Sequence, residues 1–389
     1  MGLFMVKTGL DRLLSEENSD FLKLKNANIG MITNHTCVSS DLKLGVEELI
    51  KRGFKIKKIF GPEHGFRGNH SAGAKVTDER DERTGLPVYS LYGSTRKPSD
   101  EMLEGLDALL FDMQDIGVRF YTYIYTMAYA MEAAAAANID FYVLDRPNPI
   151  TGVKVEGNIL DVNYRSFVGN YPIALRHGMT IGELALLFNE KFNIGCSLNV
   201  ITMENWKRDE WFDETGLQWV MPSPNSTGLE MAVLYPGTCL FEGTNLSEGR
   251  GTTRPFELIG APWIDGNEWC EVLNKNELNG VMFRATSFTP LTSKHQNKLC
   301  QGVQVHIVDR GKIEPFKVGC IMIESLKQLY PGHFKWLEPT NGKYFIDLLT
   351  GTHQFREVID EGVPILEWIN LQKEEIENFL KVREEFLLY

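Results

Sequence analysis

NIGMITNHTCVSSDLKLGVEELIKRGFKIKKIF, residues 28–60, decides the fold class. It holds an apolar run at Asn28–Thr33, an amphipathic stretch near Leu44–Arg52 and a second apolar run at Ile56–Phe60. Two short strands joined by a helix make a βαβ unit, whose strands run parallel. Further along come a strand at Ala108–Asp112, a helix at Tyr121–Ala137 and a strand at Phe141–Leu144. Thr180, three residues before Glu183, forms a capping box that opens another helix, followed by a strand at Leu198–Met203. This alternation predicts an α/β fold with a doubly wound, mostly parallel sheet. From about Met221 to Pro255 the residues are rich in Gly, Pro, Ser, Thr and Asn, which predicts long loops. Beyond them lie β-type runs at Val281–Phe288 and Gly302–Val308 and helices near Pro315–Leu329 and Glu374–Leu388. We place the domain boundary at about residue 255.

The chain has 389 residues, 43% of them hydrophobic and 24% charged, which excludes disorder and fibrous structure. Forty Lys and Arg against 52 Asp and Glu leave a net charge of -12, so nucleic acid and anionic membranes are poor partners. Six scattered cysteines, with no CxxC pair, read as reduced core residues. The longest apolar stretch, about residues 127–137, is too short to span a bilayer, so no membrane insertion is expected. The N-terminal MGLFMVKTGLDRLLSEE has no secretory apolar run, which reads as cytoplasmic, or as exported if a leader has been removed.

Ligands of open α/β sheets bind outside the carboxyl ends of the strands, so the segments that follow the strands carry the functional signal. They are Asn34-His35, then GPEHGFRG at 61–68, DMQDIGVRFYTY at 112–123 and DRPNP at 145–149. Turn chemistry alone explains any one of them, but four together point to a site. In GPEHGFRG, Pro62 and three glycines hold Glu63, His64 and Arg67 on a tight turn, a setting for a general acid. An ion pair between Glu63 and Arg67, or a helix cap, is the bland alternative. His35, His64 and His70 lack the spacing of metal ligands, and neither a metal nor any other cofactor is expected. In the third segment Asp112, Gln114 and Asp115 suit sugar hydroxyls or a second catalytic group, Arg119 suits a carboxylate, and Tyr121 suits a sugar face or core packing. Asp145, Arg146 and Asn148 belong on the same rim or simply make a turn.

FEGTNLSEGRGTTR at 241–254, with Asn245, Arg250 and Arg254, is suited to an oxygen-rich anion, with a solvated surface loop as its rival reading. It has neither the phosphate-loop pattern nor a complete dinucleotide fingerprint.

The set GPEHGFRG, DMQDIGVRFYTY, LDRPNP and EGTNLSEGRGTTRPF resembles the exo-acting β-N-acetylmuramidases of glycoside hydrolase family 171, in order and over nearly the whole chain. The resemblance implies a Rossmann-like catalytic domain without nucleotide function over residues 1–255, and a smaller α+β domain over 256–389 closing a cleft. It implies release of N-acetylmuramic acid from the non-reducing ends of peptidoglycan fragments, with Glu63 as the leading catalytic carboxylate. A pocket for that sugar needs aromatic surface, hydroxyl-binding groups and a guanidinium for the lactyl carboxylate, for which Arg67, Arg119, Arg250 and Arg254 are the candidates. Two alternatives stay open: a non-catalytic binder of amino sugars, and a metal-dependent hydrolase using His35, His64 and Asp112. Oligomeric state has no signature in the sequence.

Overall fold

In a computed structural model of the chain, residues 5–15, 19–69 and 77–389 are described; His70 lies outside them. Seven strands form the central sheet: β1 (Asn28–Thr33), β2 (Lys55–Gly61), β3 (Glu79–Arg80), β4 (Pro87–Ser90), β5 (Ala108–Asp112), β6 (Asp140–Leu144) and β9 (Ser197–Ile201). Their order is β3-β4-β2-β1-β5-β6-β9. All pairings are parallel except β3 with β4. β1 and β5 are buried almost throughout, as strands covered on both faces must be. The pair β7 (Glu156–Ile159) and β8 (Ala174–Arg176) lies outside this sheet. The C-terminal part has an antiparallel sheet, β10 (Leu258–Ala261), β12 (Cys300–Ile307) and β11 (Val281–Phe288) in that order, together with helices.

The chain moves from β1 outward through β2 to β4, then returns to build β5, β6 and β9 on the other side. The strand order therefore reverses between β1 and β5, and a crevice opens where their carboxyl ends diverge. In register, Thr33 pairs with Asp112, the last residues of the two strands, so Asn34-His35 and the DMQDIGVRFYTY segment leave the sheet side by side. GPEHGFRG leaves β2 next to them.

The expectation of loops throughout 221–255 is corrected. Leu229–Thr238 is a helix, followed by a 3-10 turn at Cys239–Gly243. The helix packs against the helix Pro315–Leu329. No described helix is long and apolar enough to cross a membrane.

Candidate active site

The floor of the crevice is a closed ion pair. Asp112 is fully buried and takes a fork from Arg146, through Nε and through Nη2 at 2.9 Å. The Cys37 thiol donates to the same carboxylate at 3.0 Å, and Thr33 Oγ1 donates to the Asp112 carbonyl at 2.8 Å. Burial works against the Arg146 charge, but the carboxylate beneath it outweighs burial and holds the guanidinium above its ordinary pKa. Asp112 and Arg146 thus satisfy one another. They build the floor of the crevice, with three donors on the Asp112 carboxylate.

Glu63 lies on the turn that follows β2, the strand beside β1. Pro62–Gly65 closes as a turn, with the Gly65 N–H donating to the Pro62 carbonyl at 2.9 Å. His64 takes a φ of 71°, a left-handed conformation that costs a non-glycine residue about 1–2 kcal/mol. This strain presents Glu63 toward the start of the helix Tyr123–Ala137, where Thr122 Oγ1 donates to Glu63 Oε2 at 2.9 Å. The Tyr92 hydroxyl stands close to the same carboxylate; burial, then the Glu63 charge, push its pKa up to about 12, so it stays protonated. Gly68 must be glycine, because its φ is +70° and an added Cβ would fall 2.2 Å from the His35 ring.

Several polar atoms around Glu63 are buried and have no hydrogen-bond partner among the described residues: Asn34 Nδ2, His35 Nδ1, Tyr121 Oη and Asp115 Oδ1. Asn34 Nδ2 faces the Tyr123 hydroxyl without completing a bond, while Asn34 Oδ1 is taken by the Thr36 N–H at 2.9 Å and the Thr36 hydroxyl at 2.6 Å. His35 Nε2 lies 2.7 Å from the Met221 carbonyl, which can only accept. Nε2 therefore carries the proton and Nδ1 is a bare acceptor, consistent with a pKa lowered chiefly by burial. Burial raises the pKa of Tyr121, whose hydroxyl approaches Ser223 and Ser226 without a completed bond and feels the charges of both Asp115 and Glu63. Asp115 Oδ2 accepts from the Gly117 N–H at 2.8 Å and lies 3.4 Å from His177 Nε2. Natural proteins leave few buried polar atoms unsatisfied, so a group of them at one crevice marks where a polar ligand completes the network.

A roof that the motifs did not point to closes the site. The segment 221–226 is held by His35 on the Met221 carbonyl, by the Tyr123 hydroxyl on the Pro222 carbonyl at 2.6 Å, and by Trp219 Nε1 on the Ser226 carbonyl at 2.9 Å. Its serines and prolines read as plain loop residues; their only signal is the run of turn formers that the two aromatic donors fasten down. His177, also unforeseen, is fully buried and accepts the Met179 N–H at Nδ1, which leaves Nε2–H directed at Asp115.

The other expected residues lie elsewhere. Arg119 is fully buried, with Nη1 on the carbonyls of Asn158 and Ile173 and Nη2 on those of Leu349 and Thr350. Burial lowers its pKa to about 10, and the carbonyls take donors of both Nη1 and Nη2. Arg67 is held by Asp81 at 2.5 Å. Arg250 is shared between Glu242 at 2.6 Å and Glu248 at 3.2 Å, and Lys294 takes Glu248 at 2.8 Å, a cluster that balances its own charge. Arg254 pairs with Glu257 at 3.2 Å. Asn245 bonds the His333 carbonyl and the Lys335 N–H within the C-terminal part. Gln114 Nε2 bonds the carbonyls of Asp115 and Pro147, Asn148 Nδ2 bonds the Met179 carbonyl, and Asp145 caps the helix Ile181–Lys191 through Gly182. These support the rim from behind.

The chain matches the family descriptions Exo-beta-N-acetylmuramidase NamZ, N-terminal, over residues 29–230, and Exo-beta-N-acetylmuramidase NamZ, C-terminal, over residues 233–389. It is 51% identical over 385 residues to the peptidoglycan beta-N-acetylmuramidase NamZ of Bacillus subtilis (strain 168), covering 99% of this chain and 91% of that protein. Two crystal structures of DUF1343 family proteins from Bacteroides fragilis NCTC 9343 superpose on it. One has a TM-score of 0.91 at 36% identity, and the other 0.77 at 33%, each covering 99% of both chains. With both family regions matched in order and half the residues shared with a relative over nearly its whole length, this chain belongs to the exo-β-N-acetylmuramidase NamZ family.

Proposed function

We propose that the protein is an exo-acting glycoside hydrolase that releases N-acetylmuramic acid from the non-reducing ends of peptidoglycan fragments. The observation that carries this reading is the ring of unpartnered buried polar atoms about Glu63, on Asn34, His35, Tyr121 and Asp115, at the switch point of the sheet. A bound sugar offers hydroxyl and amide groups in the number and variety such a ring requires. Membership of the family favours muramic acid over other sugars.

In this reading Glu63, positioned by Thr122 with the Tyr92 hydroxyl close by, protonates the glycosidic oxygen as the bond to the anomeric carbon breaks. Asp115 is the second carboxylate. Its Oδ2 is anchored by Gly117 and faced by His177, so Oδ1 is left for the reacting sugar or the attacking water. The tyrosine hydroxyls stay protonated and act as donors.

The test is kcat/KM of wild type and Glu63→Gln on an N-acetylmuramyl disaccharide and on an aryl β-N-acetylmuramide. Loss of a general acid costs about 10² to 10⁴ in rate. The full loss is expected on the disaccharide and a smaller one on the activated aryl glycoside, whose leaving group hardly needs a proton. Near-wild-type hydrolysis of the disaccharide by Glu63→Gln removes Glu63 from the mechanism. Binding without turnover by wild type would make the protein a sugar-binding module.

A further inference from the structure

The arginines that the motifs offered for an anionic substrate have other partners: Arg67 has Asp81, Arg119 backbone carbonyls, Arg250 Glu242 and Glu248, and Arg254 Glu257. Arg96, which belongs to no motif, is different. It is exposed and forms no ion pair with any described residue. Its guanidinium carbon lies 4.0 Å from the centroid of the Phe167 ring and 5.9 Å from that of Tyr92. Phe167 is itself backed by Tyr129, ring against ring at 6.2 Å and 6°. Stacking of this kind fixes the plane of an arginine while leaving its N–H edges pointing outward, the form in which it grips a carboxylate with two parallel bonds.

Its place in the fold is equally specific. The Tyr92 hydroxyl feels the charges of both Glu63 and Arg96, so the aromatic wall carrying Arg96 adjoins the proposed acid. The neighbouring cation, Lys97, is occupied by Glu132 at 3.2 Å. Among the described residues, Arg96 is therefore a ring-braced guanidinium without an ion-pair partner, beside the turn that carries Glu63. N-Acetylmuramic acid differs from N-acetylglucosamine by a lactyl ether at C3, two carbons from the anomeric centre, which carries the sugar's only charge.

Resting on the muramidase reading, we propose that Arg96 is the specificity-determining residue that takes the lactyl carboxylate, with Phe167 and Tyr92 holding its fork in place. The experiment compares kcat/KM on an aryl β-N-acetylmuramide and on the same glycoside with the lactyl acid converted to its primary amide, for wild type, Arg96→Ala, Arg96→Lys and Lys97→Ala. Wild type should favour the acid by roughly ten- to hundredfold, the scale of a charge-assisted fork. Arg96→Ala should erase that preference by lowering the acid rate alone, with the amide rate within about twofold of wild type. Arg96→Lys, which keeps the charge and loses the fork, should fall between. Lys97→Ala should retain the preference, since its charge is already taken.

Three outcomes overturn the proposal: an unchanged acid-to-amide ratio in Arg96→Ala, an equal fall on both substrates, or the same loss in Lys97→Ala, which would make the effect one of general field. Failure of wild type on both glycosides overturns the muramidase reading and this role with it. Turnover by wild type with an unmoved ratio in Arg96→Ala overturns only the role of Arg96.

Discussion

Asp115 is anchored by the Gly117 N–H and faced by one imidazole. Because the Met179 N–H donates to His177 Nδ1, the ring proton sits on Nε2, 3.4 Å from Asp115 Oδ2. Both residues are buried, where a misaligned carboxylate has little water to compensate it. If Asp115 is the second carboxylate, His177 acts only through it, and the two must be coupled. Asp115→Asn is expected to lower kcat by about 10² or more, and His177→Leu by about 10, with KM little changed in the latter. In the double variant His177→Leu should add nothing, because the group it positions is gone. Rates measured across the four-member cycle decide this: losses that simply multiply would make His177 a packing residue with no link to the chemistry.

At the scale of elements, the helix Leu229–Thr238 shows both how the C-terminal part is joined and why part of the fold was hidden. It crosses the helix Pro315–Leu329 at a glycine pair: a Cβ on Gly237 would lie 1.9 Å from the Pro315 carbonyl oxygen, and one on Gly319 would lie 2.3 Å from the Gly237 carbonyl oxygen. Backbone cannot rotate away as a side chain can. Gly237→Ala should therefore destabilise the protein by about 3 kcal/mol and lower Tm by several degrees, whereas Gly332→Ala, with open space around it, should stay within about 0.5 kcal/mol. Equal Tm values for the two variants would refute the close crossing. In the sequence, Pro236-Gly237 reads as a helix breaker, although both sit in the last turn, where the crossing requires them. The βαβ strands were legible because an apolar run between turn formers admits few other states. So was the cluster of polar segments at the switch point, since strand order alone brings strand ends together. Ion pairing was not. Arg250 had Glu242 and Glu248 beside it in the same motif, yet which of its neighbours it meets is decided by the fold. Arg96 carried no local pattern, for its braces Tyr92 and Phe167 converge only in three dimensions.

On the scale of the whole molecule, the end of the chain is fastened to the central sheet through Asp145, at the carboxyl end of β6. The Tyr389 hydroxyl donates to Asp145 Oδ2 at 2.7 Å, Thr180 Oγ1 donates to it at 2.8 Å, and the Gly182 N–H donates to Oδ1 at 2.8 Å. Nearby, Glu183 takes the Leu388 N–H at 2.8 Å and pairs with Arg208, and Arg383 Nη2 reaches the Gly178 carbonyl at 2.8 Å. The last helix and tail thus close back on the end of β6 and the helix Ile181–Lys191. Complete burial and then the Glu183 charge push the Asp145 pKa from 3.8 up to about 7, against the hydrogen bonds donated to it. A folded-state pKa above the unfolded one means that the native state holds the proton more tightly. The contribution is then fully present below about pH 4 and is lost as pH rises through about 7. At 1.36 kcal/mol per pH unit, the loss across that window is at most about 4 kcal/mol. Asp145→Asn keeps the shape and the acceptor oxygen of the neutral acid but has no charge to desolvate. Relative to wild type it should therefore gain stability steadily as pH rises from 4 to 7 and hold a constant advantage above. Denaturant unfolding of both proteins between pH 5 and 8 measures the difference directly. A difference that does not change with pH would mean that Asp145 is ionised throughout and that the four donors around it, counting the Arg146 N–H at 3.0 Å, outweigh its burial.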